Sequence, residues 1–112
     1  LNGKKILPNV LVATGTEEKC HDTVVISKAA DAMLAMSGIE ASFVIAKNSQ
    51  GDISISARSR SKINVQRIME ELGGGGHFNL AAARLTDMTL QEAADKLKTV
   101  ISNEIREEET EE

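Results

Sequence analysis

The spacing of apolar and polar residues near the start of the chain predicts extended backbone followed by a helix. Two short apolar stretches, residues 6–7 and 10–13, flank the only proline and favour one strand or two short extended pieces. An Ala- and Met-rich segment follows over residues 23–36, with Asp22 or Thr23 placed where a helix N-cap is expected. We therefore predict a strand region and then a helix.

The next segment alternates in a way that predicts a β-hairpin. Residues 39–47 form an apolar run, and the Asn-Ser-Gln-Gly-Asp sequence at 48–52 has the chemistry of a turn. Beyond the turn, apolar and polar side chains alternate, so a strand there has one apolar and one polar face. The apolar face carries Ile53, Ile55 and Ala57, and the polar face carries Ser54, Ser56 and Arg58.

A second helix is predicted after Asn64, which can act as its N-cap. The helix shows the i, i+3, i+4, i+7 spacing of one buried stripe. It runs into four consecutive glycines at 73–76, which end it. The apolar run at 80–85 is compatible with a helical turn, a strand, or one followed by the other. The stripe consists of Val65, Ile68, Met69 and Leu72.

The last helix begins at a capping box formed by Thr89 and Glu92. Strands interleaved with helices predict an α/β domain: a mixed β-sheet of about four to five strands with helices packed against it. The apolar stripe of the last helix continues through Leu90, Ala94, Leu97, Ile101 and Ile105.

Length and composition fit one globular domain. The chain has 112 residues, of which 41% are hydrophobic and 27% charged, and it has no apolar run long enough to cross a membrane. A single cysteine, Cys20, excludes an internal disulfide framework and favours a reducing, cytoplasmic compartment. The chain starts without Met or an apolar signal region, so we expect a piece of a longer protein.

The net charge of -4 is concentrated at the C-terminus. Residues 104–112 contain six Glu and one Arg, a formal -5, which leaves the body at +1. We therefore predict a domain over residues 1–103 and an acidic, disordered tail over 104–112. Within the body, residues 53–69 contain no acidic side chain but include Arg58, Arg60, Lys62 and Arg67, which form a local basic field.

The glycine run is the strongest candidate for a ligand site. One glycine suffices to end a helix, and a backbone without Cβ atoms can bring several N–H groups close to a phosphate. His77 follows directly and places an imidazole beside these amides. The alternative is a flexible loop with a chance histidine. No Walker or Rossmann pattern is present, because the glycines end a helix and no Lys-Ser/Thr follows them.

Arg58 is the second candidate, because an arginine on a polar strand face with Ser56 can grip a phosphate or stack on a base. The alternative is an ordinary exposed strand face. Cys20-His21-Asp22 does not form a catalytic triad, since neighbouring side chains point in different directions. Two histidines and one cysteine also give no convincing zinc or two-metal site.

A combination of short segments resembles a known family: ISARS at 55–59, INV at 63–65 and GGGGH at 73–77, followed by AAA at 81–83. An S-x-R-S strand and a G-G-G-H loop in this order resemble the C-terminal DHH-associated domain of the DHH phosphoesterases. Residues 23–31 and 38–45 further resemble the GdpP-type members, which are membrane-anchored cyclic-di-AMP phosphodiesterases.

The resemblance implies half of an active site. A preceding DHH domain, absent from this chain, would hold two manganese ions, and this domain would bind cyclic di-AMP for hydrolysis to pApA. The chain itself would bind no cofactor and hydrolyse nothing, with His77 a candidate transition-state stabiliser. The implied substrate-binding residues are Ser56, Arg58, Ser59, Gly74, Gly75, Gly76 and His77.

Two other functions remain open from the sequence. Related domains occur in RecJ-like exonucleases and alanyl-tRNA synthetases, so the basic field could serve a single-stranded nucleic-acid-binding module. The near-neutral body and only two aromatic residues argue against it. A structural or homodimerising domain, in which the glycines form only a turn, is the third hypothesis.

Overall fold

The computed structural model describes the backbone of residues 2–111 and the side chains of residues 8–107. Its helices are α1 (Thr23–Leu34), α2 (Val65–Glu71) and α3 (Leu90–Glu111). Its strands are β1 (Asn2–Leu7), β2 (Val10–Thr14), β3 (Ala41–Lys47), β4 (Ile53–Ser59), β5 (Gly75–His77) and β6 (Leu80–Leu85).

The strands form one mixed sheet in the order β1-β2-β3-β4-β6-β5. Strands β2 and β3 are parallel and are connected through α1, whereas the other neighbours are antiparallel. The predicted α/β class with helices packed on a mixed sheet is confirmed. The chain on the two sides of Pro8 forms separate strands, and the end of the glycine run adds the short strand β5.

The two faces of the sheet are covered unequally. On one face, α2 and α3 enclose the main core, which includes Phe43, Ile55 and Leu97. On the other face, α1 packs against β3 and β4 through Ile26 and Ala30. The β6 strand alternates strictly, with Ala81, Ala83 and Leu85 buried and the intervening residues exposed. The α1 side of β6 is therefore open.

Local sequence signals account for the helix starts. Asp22 caps α1 by accepting the Val24 N–H at 2.9 Å, and Asn64 caps α2 by accepting from Gln66 and Arg67. The stripe predicted for α2 is buried, and residues 80–85 form a strand throughout. The strand pairs with β4 along its whole length, a long-range interaction that the short apolar run alone could not reveal.

The C-terminal helix continues past the predicted domain boundary at residue 103. The described backbone is helical from Leu90 to Glu111, so residues 104–111 form its last turns rather than irregular chain. The physical reason lies at Glu104, which is 2% exposed and forms an ion pair with Arg67 of α2. Within residues 2–111, no helix combines the length and apolar character that spanning a membrane requires.

Candidate functional site

The open face beside α1 gathers most of the residues that the sequence singled out. We call the α1-side face of β4, β6 and β5 the shelf. Residues directly opposite each other in a sheet point to the same face. Arg58 lies opposite Leu80, which lies opposite His77, so these three form one row. Two interstrand spacings separate Arg58 from His77, about 10 Å between Cα atoms.

Two further rows complete the shelf. Ser56 lies opposite Ala82, which lies opposite Gly75. In the third row, Ser54 lies opposite Arg84. The shelf therefore has small residues in its middle and polar side chains toward its ends.

The four glycines have different structural roles. Gly73 adopts a φ of +84° just past α2, and its N–H and that of Gly74 donate to Glu70 and Met69 carbonyls, which ends the helix. A Cβ on Gly74 would lie 2.1 Å from the Ala82 carbonyl oxygen. One on Gly76, where φ is +147°, would lie 2.5 Å from the Ala81 Cα.

Gly75 is the exception in this run. A Cβ there would meet nothing within 4 Å, and its φ is not positive. Three glycines are thus explained by the helix end and by the close approach of β5 to β6. Since the amides of Gly73 and Gly74 are used inside the protein, the candidate phosphate-binding amides reduce to those of β5, where only alternate N–H groups among Gly75, Gly76 and His77 point away from β6.

Ser59 lies behind the shelf rather than on it. By strand alternation its side chain points opposite to Arg58, and its hydroxyl donates to the Phe78 carbonyl at 3.2 Å. Its N–H donates to the Asn79 carbonyl at 3.0 Å, and the Asn79 amide donates back to the Ser59 hydroxyl. These bonds tie the turn after His77 to β4. The S-x-R-S strand and the glycine loop are therefore joined from the core side.

Arg58 is buried against α1. Its Nε donates to Asp31 Oδ1 at 2.7 Å, and its Nη1 donates to the carbonyl of Ala57 at 2.9 Å. The Arg58 side chain is 10% exposed, compared with 63% for Asp31. Most of the Arg58 side chain is therefore buried between α1 and β4, and only a small part of it is exposed to solvent.

A cavity of about 390 Å³ lies between the first turns of α1 and the shelf. The Ser27 and Ser56 hydroxyls are 3.2 Å apart on its wall. At one end, Arg84 Nε donates to Asp52 at 3.0 Å, so the charge of this arginine is balanced. The cavity is lined by Thr23, Ser27, Ser54, Ile55, Ser56, Gly73, Gly74, Ala82, Ala83 and Arg84.

Several residues of this site escaped the sequence analysis. Ser27 and Thr23 come from a helix whose orientation over the sheet depends on packing. Arg84 occupies an exposed position in β6, and this position is evident only once residues 80–85 are known to be a strand. The sequence of this run, Leu-Ala-Ala-Ala-Arg-Leu, shows no alternation of apolar and polar residues, so no sequence signal identified Arg84.

The basic field of residues 58–67 is dispersed in three dimensions. Arg60 donates to the carbonyls of Leu34 and Ile39 near the end of α1, and Arg67 pairs with Glu104 between α2 and α3. Only Arg58 lies on the shelf. These positions do not form a continuous basic track such as a nucleic-acid backbone needs.

The residues that the structure describes do not fit a manganese site. In the described part of the chain, no three His, Cys, Asp or Glu side chains are grouped closely enough to hold a metal ion. Asp22 caps α1, and Cys20 is exposed. Hard cations such as manganese prefer several carboxylate or imidazole ligands together. We therefore derive no metal-dependent step from this chain.

Known proteins similar to this chain include bacterial phosphodiesterases. The chain is 50% identical over 92 residues to the cyclic-di-AMP phosphodiesterase GdpP of Geobacillus thermodenitrificans, covering 82% of this chain. It is 51% identical over 90 residues to the cyclic-di-AMP phosphodiesterase PdeA of Listeria monocytogenes, covering 80% of this chain. Each alignment spans only 14% of the relative's length.

The fold is also similar to solved structures. An exopolyphosphatase-related protein from Bacteroides fragilis superposes with a TM-score of 0.72 at 20% identity, covering 85% of this chain and 29% of that one. The family model described as the DHHA1 domain matches residues 7–107. Because this match includes nearly the whole chain and agrees with the relatives and the fold, the chain belongs to the DHHA1 domain family.

Proposed function

We propose that this domain binds the substrate of a manganese-dependent phosphodiesterase that hydrolyses cyclic di-AMP to pApA. The observation that carries the proposal is the gathering of Ser56, Arg58, Gly75 and His77 on one open sheet face. The phosphodiesterase names of relatives at about half identity support the substrate class.

The two parts of the shelf suit different parts of a nucleotide. The edge strand offers an N–H group that points away from β6 and the His77 imidazole, both hydrogen-bond donors suited to a phosphate. The cavity is walled by hydroxyls and floored by small residues, and its arginine is already paired with Asp52. A nearly neutral pocket of this kind suits the uncharged nucleoside. Arg58 lies in the same row as His77, and its guanidinium N–H groups that are not bonded to Asp31 or Ala57 would donate to the phosphate.

The chain's own contribution is binding and orientation. Donors held in place before the ligand arrives stabilise negative charge with little reorganisation, and in this proposal His77 would do so at the phosphodiester. Ser59 takes part through the turn that it anchors. Manganese ions in a DHH domain of the same polypeptide would supply the activation of water. We further propose a cytoplasmic location in a membrane-anchored parent protein.

An amide NMR titration of the chain tests this function. Cyclic di-AMP and pApA should shift the resonances of residues 73–77 and of the cavity wall, and Arg58→Ala and His77→Ala should weaken both effects. Arg60→Ala is the matched control, because Arg60 lies in the basic field but away from the shelf. The proposal would be contradicted if Arg58→Ala, His77→Ala and Arg60→Ala all bound cyclic di-AMP and pApA with the same affinity.

The same experiment distinguishes the nucleic-acid hypothesis. A short single-stranded RNA should bind no better than pApA if the shelf accepts a dinucleotide. Affinity that rises with oligonucleotide length and falls steeply with salt would instead identify a backbone-binding module. Complete absence of shifts with every ligand would leave the domain structural and overturn the proposal for the isolated chain.

A further inference from the structure

We infer that Asp31 of α1 is a positioning residue that orients Arg58 toward a phosphate group on the shelf. The inference rests on the proposed function, because it concerns the same site. It starts from the contact between Asp31 Oδ1 and Arg58 Nε, which are 2.7 Å apart and come from segments 27 residues apart in the sequence. Neither the S-x-R-S strand nor the glycine loop contains Asp31.

Two hydrogen bonds determine the orientation of the guanidinium. The group is planar and rigid, so a bond at Nε together with a bond at Nη1 fixes both its place and its rotation. Asp31 accepts the first bond, and the Ala57 carbonyl accepts the second at 2.9 Å. The Ala57 carbonyl belongs to the same strand as Arg58. Asp31 is therefore the partner through which α1 fixes the orientation of the guanidinium.

Asp31 is the more exposed of the two partners, but its negative charge leaves Arg58 as the one that would meet a phosphate. Arg58 is 8% exposed as a residue, so its orientation decides whether any donor reaches the shelf surface. The two bonds use two of the five guanidinium N–H groups. The other three N–H groups of the guanidinium are donors of the kind that bind an anion. Asp31 repels an anion itself, so its effect on phosphate binding must act through Arg58.

The spacing of Ser27 and Asp31 in the sequence puts Asp31 on the side of α1 that faces β4. Ser27 and Asp31 are four residues apart, so they lie on the same side of α1. Ser27 contacts Ser56, and Asp31 contacts Arg58, two residues further along β4. The helix thus lies along the polar face of β4 and holds it in two places, at the middle row of the shelf and at the row that contains His77.

The test is a double-mutant cycle on the dissociation constant of pApA, measured by NMR titration of the chain. We expect Asp31→Ala to weaken binding roughly tenfold, the scale of a charge-assisted hydrogen bond. Asp31→Asn should bind nearly as well as the wild type, because its amide oxygen still accepts from Nε. The double variant Asp31→Ala, Arg58→Ala should bind no more weakly than Arg58→Ala alone.

Two controls separate positioning from folding. Asp95→Ala removes an equally charged exposed carboxylate from α3 and should leave pApA affinity unchanged. Adenosine, which carries no phosphate, should bind Asp31→Ala and the wild type equally.

The outcomes separate this inference from the proposed function. Wild-type pApA affinity in Asp31→Ala, combined with a loss in Arg58→Ala, overturns the positioning role and leaves the binding function intact. Unchanged affinity in Arg58→Ala overturns the assignment of Arg58 in the proposed function. Additive losses in the double variant, or equal losses of adenosine affinity, would mean that Asp31 acts on the fold in general, and either overturns the inference.

Discussion

The four glycines show how identical residues in one motif can have separate physical roles. Gly73 ends α2 with a left-handed conformation, while Gly74 and Gly76 allow the backbone of β5 to approach β6. Neither helix termination nor packing explains Gly75. The sequence showed that four glycines exceed the need of a helix cap, but it could not show that neighbouring backbone accounts for two of them.

This difference between glycines predicts different effects of alanine. Gly76→Ala should lower the free energy of unfolding by roughly 2–4 kcal/mol, because its φ of +147° is strained for alanine and the Cβ would collide with β6. Gly75→Ala should change it by less than about 0.5 kcal/mol. Urea unfolding measures both values. Equal destabilisation by the two substitutions would contradict this account of the loop.

At the scale of elements, the turn between β5 and β6 connects the two family motifs. Ser59 was predicted to touch substrate, whereas its hydroxyl bonds to the turn that follows His77. The Val65 N–H donates to the same Phe78 carbonyl, so α2 also holds the turn. The strand alternation that predicted Ser56 and Arg58 on one face also puts Ser59 on the other. The substrate role of Ser59 therefore becomes an indirect one in our proposal.

The anchored turn leads to a prediction for ligand binding. Ser59→Ala should reduce pApA affinity by roughly threefold to tenfold, since His77 loses one of the bonds that hold its turn. Ser61→Ala, an exposed serine two residues away, is the matched control. NMR titration gives both constants. An unchanged affinity in Ser59→Ala would show that the remaining bonds of the turn are sufficient.

The start of α3 provides a pH-dependent element. Thr89 and Glu92 form the predicted capping box: the Thr89 N–H donates to the Glu92 carboxylate at 2.9 Å, and the Glu92 N–H donates to the Thr89 hydroxyl at 3.1 Å. The backbone bond from Thr89, and then the bond from its side chain, lower the pKa of Glu92. The charged carboxylate is thus favoured in the folded state.

The sign of this shift determines how stability depends on pH. A pKa lowered by folding gives a contribution that is present above the unfolded pKa and is lost as the pH falls through the folded pKa. The stability advantage of the wild type over Glu92→Gln should therefore shrink as the pH is lowered from about 6 to about 3. Thermal unfolding at several pH values measures the difference. An advantage that grows on acidification would contradict the capping role.

At the scale of the whole molecule, the C-terminal helix closes the main core. Its acidic composition predicted a disordered tail, yet Glu104 is buried beside Arg67, and Ile105 packs against the core. Composition reflects average solvation along a segment, whereas burial depends on which side of the helix faces α2. The first turn after residue 103 is therefore part of the packed domain.

Truncation tests where the domain ends. Chains that end after Asn103 should lose the Glu104 ion pair and the Ile105 contact, and unfold at a midpoint several degrees lower, as expected for a loss of about 1–2 kcal/mol. Chains that end after Glu107 should keep the wild-type midpoint. Circular dichroism melting measures both. Equal midpoints for the two truncations would restore residue 103 as the boundary.

The amino-acid sequence by itself determined the local elements of this protein. The alternation in β4, the stripe and cap of α2 and the capping box of α3 follow from side-chain periodicity and from hydrogen bonds between near neighbours. The order of the S-x-R-S and G-G-G-H motifs was also enough to indicate the family. Only the tertiary structure decided that 80–85 is a strand, that Gly74 and Gly76 face β6, and that Asp31 meets Arg58. Each of these depends on contacts between segments distant in sequence, whose register and facing local periodicity does not specify.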